Sequence, residues 1–195
     1  MPESWIVVAG AATAGFLIGS INPASIIARF LHQDLRQGSG NPGATNASRV
    51  LGLRWGIIVG LIDVLKGFLP TFLALWLFDR STAYVVGLAT VLGHVLSPFL
   101  RGRGGRGVAT SLGALIAVFP WFALGTVVVF GVMLWATRWV AGSSIAAAAL
   151  LGLYAGLGPL PDPVVAGRVW GICIALIVIV RHYDNIRGWV DRRLV

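Results

Sequence analysis

Residues 53–78 read LRWGIIVGLIDVLKGFLPTFLALWLF, an apolar run in which only Arg54, Asp63 and Lys66 carry charge. A helix that crosses a bilayer needs about 20 consecutive apolar residues, and this run is long enough. A second run of sufficient length, from Trp5 to Phe30, precedes it in the chain. Both runs therefore predict transmembrane helices.

Five further apolar runs follow, and each is shorter than a straight spanning helix requires. Their lengths of roughly 12 to 17 residues predict helices that are tilted, thin the bilayer locally or begin inside a neighbouring polar loop. Together with the first two runs they predict an all-α polytopic membrane protein with seven transmembrane helices. The five shorter runs are Ala83–Leu96, Val108–Phe119, Trp121–Trp135, Ser144–Leu157 and Val164–Val180.

The composition excludes several other classes of protein. Of the 195 residues, 57% are hydrophobic and 11% are charged, against about a quarter charged in an ordinary soluble domain. The mean hydropathy is +0.85, so a soluble or disordered chain is excluded. The single cysteine, Cys173, excludes a disulfide-stapled fold. The length predicts one transmembrane domain that covers residues 1–195.

The arginines predict the orientation in the membrane. With seven spans and the C-terminus in the cytoplasm, the N-terminus lies outside. The inner side then holds twelve arginines and three aspartates, and the outer side two arginines and three acidic residues. Such an excess of positive charge is typical of the cytoplasmic face. It also attracts anionic membrane lipids.

A glycine-rich segment after the first run is a candidate phosphate site. Residues 38–46 read GSGNPGATN, and Ser48 and Arg49 follow. Glycines allow backbone N–H groups to approach a ligand, while hydroxyl, amide and guanidinium groups add donors for a phosphate. The spacing differs from that of a Walker A loop. A flexible, solvated linker is the alternative.

A second candidate site lies directly before the fourth run. Residues 101–107 read RGRGGRG, with four glycines, three arginines and no acidic residue. We predict an anion at the N-terminus of the following helix, surrounded by guanidinium groups. Gly104 and Gly105 are predicted to present N–H groups to an oxyanion. The alternatives are a positive-inside loop or a nucleic-acid segment. A seven-residue loop between membrane helices suits nucleic acid poorly, so no nucleic-acid partner is predicted.

The third candidate segment follows the last run and reads RHYDNIR at residues 181–187. His182 and Asn185 are three residues apart, so they share one face if the helix continues through them. A histidine in this place can donate to a phosphate or carry a proton. The alternative is a histidine that merely lies at the membrane interface.

Three features inside the runs have both a functional and a structural interpretation. Asp63 and Lys66 are three residues apart in a membrane helix, where ionisable groups are functional by default but can also form a packing pair. His94, near the inner end of the third run, lines the same site or caps its helix. Pro23 is predicted to break the first run. GSINP at residues 19–23 echoes GSGNP at residues 38–42, which we interpret as chance.

In combination, these segments resemble the bacterial acyl-phosphate-dependent glycerol-3-phosphate acyltransferases, the PlsY family. The resemblance extends over nearly the whole chain. It rests most on GSGNPGATN at residues 38–46 and GGRGVAT at residues 104–110, and it includes DVLKG at residues 63–67 and the pair of His182 and Asn185.

The resemblance implies a seven-helix enzyme of the bacterial cytoplasmic (inner) membrane. Such an enzyme transfers a fatty acyl group from long-chain acyl phosphate to the 1-hydroxyl of sn-glycerol 3-phosphate. The products are lysophosphatidic acid and phosphate, in the first step of phospholipid synthesis. The resemblance implies an active site that faces the cytoplasm, with neither a metal nor a cofactor, and we expect a monomer.

The resemblance also implies the residues of the site. The implied catalytic residues are Ser39, Arg106, His182 and Asn185. The implied substrate-binding residues are Ser39, Asn41, Arg49, Arg103, Gly104, Gly105, Arg106, His182 and Asn185. The family usually has lysines where this chain has Arg103 and Arg106, which keeps the charge but replaces a compact ammonium with a broad planar fork.

The physical chemistry of this reaction agrees with the composition. Both substrates are anionic and need several cations, while the acyl tail needs apolar walls. Phosphate is a good leaving group, so positioning and charge neutralisation suffice and no acyl-enzyme is expected. The substrate phosphate or His182 is the predicted proton acceptor.

Two other function classes remain as alternatives. A transporter of a small phosphorylated anion also uses basic glycine loops and broken helices, but the candidate groups here lie on one predicted side of the membrane. A structural lipid-binding protein would not need His182 and Asn185 at helical spacing. The H-x-x-x-x-D signature of other glycerolipid acyltransferases does not occur at any of the three histidines.

Overall fold

A computed structural model describes residues 4–191, and this range contains α-helices and two 3-10 helices but no β-strand. The predicted all-α class is therefore confirmed. The 3-10 helices are Leu35–Gln37 and Pro98–Leu100. The α-helices are α1 (Trp5–Ser20), α2 (Pro23–Phe30), α3 (Ala44–Leu51), α4 (Leu53–Leu77), α5 (Arg80–Val95), α6 (Val108–Val118), α7 (Pro120–Thr137), α8 (Val140–Leu157), α9 (Val164–Val180) and α10 (Tyr183–Asp191).

The described helices carry large apolar side chains on their exposed faces, as expected of a surface that contacts lipid. In α4, Leu61, Leu65 and Leu69 recur every four residues and are 59%, 50% and 49% exposed. Side chains at this spacing lie on one face of a helix. A continuous exposed leucine stripe would be unfavourable in water, so it supports a membrane-spanning α4.

The predicted number of seven transmembrane helices is not confirmed. Five helical segments of the described range are long and apolar enough to cross a bilayer, and a sixth results if α9 and α10, bent by 47°, count as one span. The remaining apolar helix, α6, is shorter and has 11 residues. At 1.5 Å per residue it is about 17 Å long, roughly half of the hydrocarbon thickness. The fourth run is thus too short to span the bilayer alone.

The predicted orientation depends on an odd number of spans, and it stays a prediction. The charge count behind it includes Glu3, Arg192 and Arg193, which lie outside the described residues.

The contacts between Cα atoms divide the chain into a first unit that ends at Val118 and a second unit that begins at Phe119. In the first unit, α1 packs on α5, and α4 packs on α6, α5 and α3. In the second unit, α8 packs on both α7 and α9. The single transmembrane domain over residues 1–195 stays a prediction.

The helices α4 and α6 approach each other through two glycines. A Cβ atom on Gly67 of α4 would overlap the carbonyl oxygen of Thr110, and one on Gly113 of α6 would overlap that of Val64. Small residues allow such close backbone contact between membrane helices. Two glycines on facing helices therefore allow the short α6 to pack closely against α4.

Gly113→Ala is expected to lower the free energy of unfolding by about 1–3 kcal/mol, because the added methyl group forces the two backbones apart. The matched control is Gly125→Ala in α7, where nothing lies within 4 Å of the added atom. That change is expected to be neutral or to stabilise the helix by up to about 1 kcal/mol. Thermal unfolding in detergent micelles measures both, and equal midpoints would contradict the close approach.

The first run breaks where Pro23 was predicted to break it. Helix α1 ends at Ser20 and α2 begins at Pro23. Between them, Asn22 caps α2, because its Oδ1 accepts a hydrogen bond of 2.8 Å from the backbone N–H of Ser25. Proline at the first position of a helix and asparagine at the cap are typical of a helix start.

The break exposes backbone carbonyl groups at the end of α1, and side chains from two other elements satisfy them. The hydroxyl of Ser97 donates to the carbonyl of Ser20 at 2.7 Å. The ammonium of Lys66 in α4 donates to the carbonyl of Ile21 at 2.7 Å. Backbone groups freed within a membrane helix need partners of this kind. The broken helix is thereby joined to α4 and to the segment after α5.

Candidate functional site

The glycine-rich segment at residues 38–46 is held in shape by the side chain of Asn46, which is 1% exposed. Its Oδ1 accepts from the N–H of Ser39 at 2.7 Å, and its Nδ2 donates to the carbonyl of Leu35 at 2.8 Å. A Cβ on Gly38 would overlap the Asn46 Oδ1 atom, and Gly40 has a φ of +73°. The glycines here are thus required by the shape of the loop.

Three predicted substrate-binding residues lie in or beside this segment. Ser39 and Arg49 are exposed, and Asn41 is half-buried. The segment is only partly a loop, because α3 begins at Ala44 and places Arg49 in its last turn. Ser39 and Arg49 are therefore accessible to a ligand, while Asn46 is used within the protein.

The first loop is anchored to the break between α1 and α2. The Nδ2 of Asn22, which is 5% exposed, donates to the carbonyl of Pro42 at 2.9 Å. This bond joins the two similar pentapeptides GSINP and GSGNP directly. Their similarity was interpreted as chance, and the structure adds that the two segments touch.

An exposed ion pair precedes the first loop. The Nη2 of Arg36 lies 2.9 Å from the Oδ2 of Asp34. Hydrogen bonds from the Arg36 side chain and backbone hold the pKa of the Asp34 carboxyl below its ordinary value, and the same pairing raises the pKa of Arg36. Both groups stay charged near neutral pH, so neither serves as a proton carrier there.

The second segment, residues 101–107, folds back on the end of α5. The N–H of Gly104 donates to the carbonyl of Val95, and the N–H of Gly105 donates to that of His94, both at 3.1 Å. A Cβ on Gly104 would overlap the His94 carbonyl oxygen, and a Cβ on Gly105 would overlap the His94 ring. Only glycine fits at these two positions.

This geometry differs from the prediction that Gly104 and Gly105 present their N–H groups to an oxyanion. Both groups bind carbonyls of the protein itself. The next backbone donors along the chain that could bind an anion are the N–H groups at the start of α6, since the first N–H groups of a helix have no partner within it.

The start of α6 carries two hydroxyl groups that the sequence reasoning did not assign. Thr110 is fully buried and Ser111 is 7% exposed. Neither hydroxyl oxygen has a hydrogen-bond partner within residues 4–191. Buried polar groups in proteins are normally satisfied, so these hydroxyls are candidates for ligand contacts. The string GGRGVAT already indicated Thr110 as a candidate, because it places a threonine in the first helical turn after a glycine loop.

The arginines of the second segment differ in exposure. Arg101 and Arg103 are exposed, and Arg106 is half-buried. Phe99, Leu100, Arg101 and Arg103 line an open cavity of about 390 Å³. The lining combines apolar side chains with two guanidinium groups. Such a cavity suits a molecule with an anionic head and an apolar tail.

Behind the second segment lies a buried cluster of ionisable side chains. The Oδ1 of Asp63 is 2.9 Å from the Nζ of Lys66 and 3.5 Å from the Nδ1 of His94. All three residues are at most 7% exposed. The packing pair considered for Asp63 and Lys66 is thus formed. Sequence reasoning did not connect it with His94, because the histidine lies on another helix.

The third segment differs from the continuing helix on which its interpretation was based. Helix α9 ends at Val180 and α10 begins at Tyr183, with a bend of 47° between them. His182 lies in this bend, and its carbonyl accepts from the N–H groups of Asn185 and Ile186. His182 therefore caps the start of α10 with its backbone.

The side chains of His182 and Asn185 are both well placed for polar contacts. His182 is 2% exposed, and its Nδ1 lies 2.8 Å from the carbonyl of Val178. A carbonyl can only accept, so Nδ1 carries the hydrogen and the neutral ring has its lone pair on Nε2. The Oδ1 of Asn185 is buried without a hydrogen-bond partner within the described range.

The predicted site residues fall into both units. The first unit contains Ser39, Asn41 and Arg49 together with the segment at residues 101–107. Consecutive contacts through the α1–α2 break and the Asp63 cluster link the two loops. The second unit contains His182 and Asn185. The assembly of all these residues in one active site stays a prediction.

Comparison with known proteins gives a consistent result. A family model described as glycerol-3-phosphate acyltransferase matches residues 9–192. A glycerol-3-phosphate acyltransferase of Aquifex aeolicus is 41% identical over 182 residues, which cover 91% of this chain and 93% of the relative. Another, from Anaeromyxobacter sp. (strain Fw109-5), is 40% identical over 187 residues, which cover 91% of this chain and 90% of the relative.

Two solved structures are also similar, and both are crystal structures of PlsY, an integral membrane glycerol 3-phosphate acyltransferase. The glycerol 3-phosphate form has a TM-score of 0.88 and 37% identity, covering 96% of this chain and 94% of that chain. The lysophosphatidic acid form has a TM-score of 0.87 and 37% identity, covering 96% of this chain and 93% of that chain.

Proposed function

The chain belongs to the glycerol-3-phosphate acyltransferase family, and we propose that it transfers a long-chain acyl group from acyl phosphate to the 1-hydroxyl of sn-glycerol 3-phosphate. The products are lysophosphatidic acid and inorganic phosphate, as in the first step of phospholipid synthesis. The observation that carries the proposal is the start of α6, where an arginine-containing glycine loop meets two buried hydroxyls that have no hydrogen-bond partner among residues 4–191.

The start of α6 has the features of a phosphate site. The N-terminus of a helix presents unpaired N–H groups and the positive end of its dipole. Arg106 adds a guanidinium group directly before the helix, and Thr110 and Ser111 add hydroxyl donors. A charge-assisted hydrogen bond from arginine to phosphate is about twice as strong as a neutral one. These groups together suit a doubly charged anion.

Glycerol 3-phosphate is proposed to bind between the first and second segments. Ser39, Asn41 and Arg49 supply donors from the first segment, and Arg106 supplies one from the second. The resemblance to the family adds His182 and Asn185 to this set. The contacts that link the first and second loops through the Asp63 cluster support this proposal.

Acyl phosphate is proposed to bind at the cavity beside Arg103. Phe99 and Leu100 provide an apolar wall, and Arg101 and Arg103 provide two cations for the phosphate head. A coenzyme A thioester has a neutral reacting group and a much larger head. Two cations beside an apolar wall therefore favour a donor whose charge lies next to its acyl group, as it does in acyl phosphate.

The proposed reaction needs no protein nucleophile. The 1-hydroxyl oxygen attacks the acyl carbon, a new C–O ester bond forms, and the bond between the acyl carbon and the phosphate oxygen breaks. The electron pair of that bond leaves with phosphate. The hydroxyl proton passes to a phosphate oxygen or to Nε2 of His182. The protein contributes positioning and charge neutralisation.

His182→Gln separates these two proton acceptors. If Nε2 accepts the proton, the variant loses about 10²–10⁴-fold in kcat, and the shape of its pH profile changes. If a phosphate oxygen accepts the proton, kcat changes little and the pH profile keeps its shape. The measurement is kcat against pH for both proteins, and nearly full activity of the variant removes the histidine as base.

We further propose a bacterial cytoplasmic membrane location, with the site on the cytoplasmic side, the N-terminus outside and the enzyme acting as a monomer of one domain. The excess of arginine in the loops assigned to the inner side supports the orientation.

The test of the function uses purified protein with glycerol 3-phosphate and palmitoyl phosphate, with palmitoyl-CoA in a parallel reaction. Release of phosphate together with lysophosphatidic acid from palmitoyl phosphate alone is the expected result. Turnover with palmitoyl-CoA instead would overturn the donor assignment. A folded protein that is inactive with both donors would overturn the proposed reaction and favour the transport of a phosphorylated anion.

A further inference from the structure

A continuous set of polar contacts joins the first loop to the glycine loop through the interior of the first unit. It begins at the carbonyl of Pro42, which accepts from Asn22 at 2.9 Å. The neighbouring residue, Ile21, accepts from Lys66 at 2.7 Å. We call the set of Asn22, Lys66, Asp63 and His94 the polar bridge.

The second half of the polar bridge leads from α4 to the glycine loop. Lys66 pairs with Asp63 at 2.9 Å, and Asp63 faces the Nδ1 of His94 at 3.5 Å. The carbonyl of His94 accepts from Gly105 at 3.1 Å. The His94 ring lies so close to Gly105 that no Cβ fits between them. A displacement of His94 therefore displaces the glycine loop.

Packing alone does not require ionisable side chains in the polar bridge. Its three ionisable members are buried in a protein that spans a membrane, where such groups are costly and usually functional. An ion pair replaced by apolar residues of similar volume is often as stable or more so. The polar groups do, however, fix specific distances between α4, the α1–α2 break and the end of α5.

We propose that Asp63, Lys66 and His94 are positioning residues that set the separation of the two phosphate-binding loops and thereby the affinity for the glycerol phosphate substrate. The proposal rests on the proposed function. The bridge does not touch the reacting atoms. It acts through Asn22 on the first loop and through Gly105 on the second. A loosened bridge therefore lowers the affinity for a ligand that contacts both loops.

The main variant is His94→Gln, with His94→Asn as the conservative comparison. The asparagine amide reaches the place of Nδ1, which faces Asp63, whereas the glutamine amide reaches the place of Nε2. His94→Gln is expected to raise the KM for glycerol 3-phosphate about tenfold, while kcat and the KM for palmitoyl phosphate stay within about threefold. His94→Asn is expected to stay within about threefold in all three.

The matched control is His32→Gln. His32 is exposed and lies outside the bridge, so the same substitution there is expected to leave all three parameters unchanged. A folded His94→Gln variant with an unchanged KM for glycerol 3-phosphate would overturn the proposal. So would a loss confined to kcat, or an His94→Asn variant as impaired as His94→Gln, because ring packing alone would then explain the effect.

A second variant tests the other end of the polar bridge. Asn22→Asp keeps the oxygen that caps α2 but removes the amide that donates to Pro42. It is expected to produce the same selective rise in KM. If His94→Gln fails to fold, this variant decides the proposal by itself.

Hydrogen exchange provides a measurement independent of turnover. In His94→Gln, amides at residues 38–43 of the first loop are expected to exchange faster than in the parent protein, although the substitution lies under the other loop. Unchanged exchange there would overturn the bridge. Inactivity of the parent protein with either donor would instead overturn the proposed function and leave this exchange test to decide the bridge.

Discussion

Arg106→Ala is expected to lower kcat/KM for acyl transfer about 10²–10³-fold, the usual effect of removing one preorganised donor to a developing anion. Arg106 is half-buried and directly precedes the glycine and helix that form the proposed phosphate site. In the proposed reaction two anionic substrates and a phosphate leaving group meet there, so the loss of one guanidinium would leave charge uncompensated in a site of low dielectric.

Arg106→Lys is the informative companion of this variant, because the family usually has lysine in this place. It keeps the charge and loses only the planar fork, so it is expected to retain most of the activity. Arg54→Ala removes the same charge from an exposed position at the start of α4 and is expected to be neutral. Steady-state kinetics with both substrates varied measures all three, and an active Arg106→Ala variant would remove Arg106 from the site.

Lys66→Met is expected to lower the free energy of unfolding by about 3–5 kcal/mol, because it leaves Asp63 as an uncompensated buried charge. The variant also removes the donor to the carbonyl of Ile21 at the break of the first helix. The double variant Asp63→Asn with Lys66→Met removes both charges and is expected to regain a large part of the loss. Equilibrium unfolding in detergent by far-ultraviolet circular dichroism measures the effect.

The chain offers a matched exposed ion pair as a control. Arg36 and Asp34 are also 2.9 Å apart, but their side chains are 86% and 46% exposed. Exposed pairs contribute little to stability, so Arg36→Met is expected to leave the unfolding transition where it is. Equal effects of Lys66→Met and Arg36→Met would show that burial of the Asp63 pair has no energetic consequence.

Much of the fold follows from local properties of the sequence. The length of an apolar run and the position of a proline are local, so the long α4 and the break at Pro23 were predictable. The boundaries of α9 were also predicted, since turn residues flank that run. The string of glycines and arginines at residues 101–107 identified a candidate anion site because backbone access and positive charge are properties of residue type.

Other features arise only when distant segments pack together. The role of α6 as a short helix held by Gly67 and Gly113 depends on a partner helix some forty residues away. The same is true of His94 beneath Gly105, whose N–H binds a carbonyl rather than an oxyanion. The sequence alone determined the class of membrane protein, its charged loops and its family. Only the tertiary structure decided which polar groups are used within the protein and which buried ones have no hydrogen-bond partner among residues 4–191, because hydrogen bonds between separate helices depend on their packing.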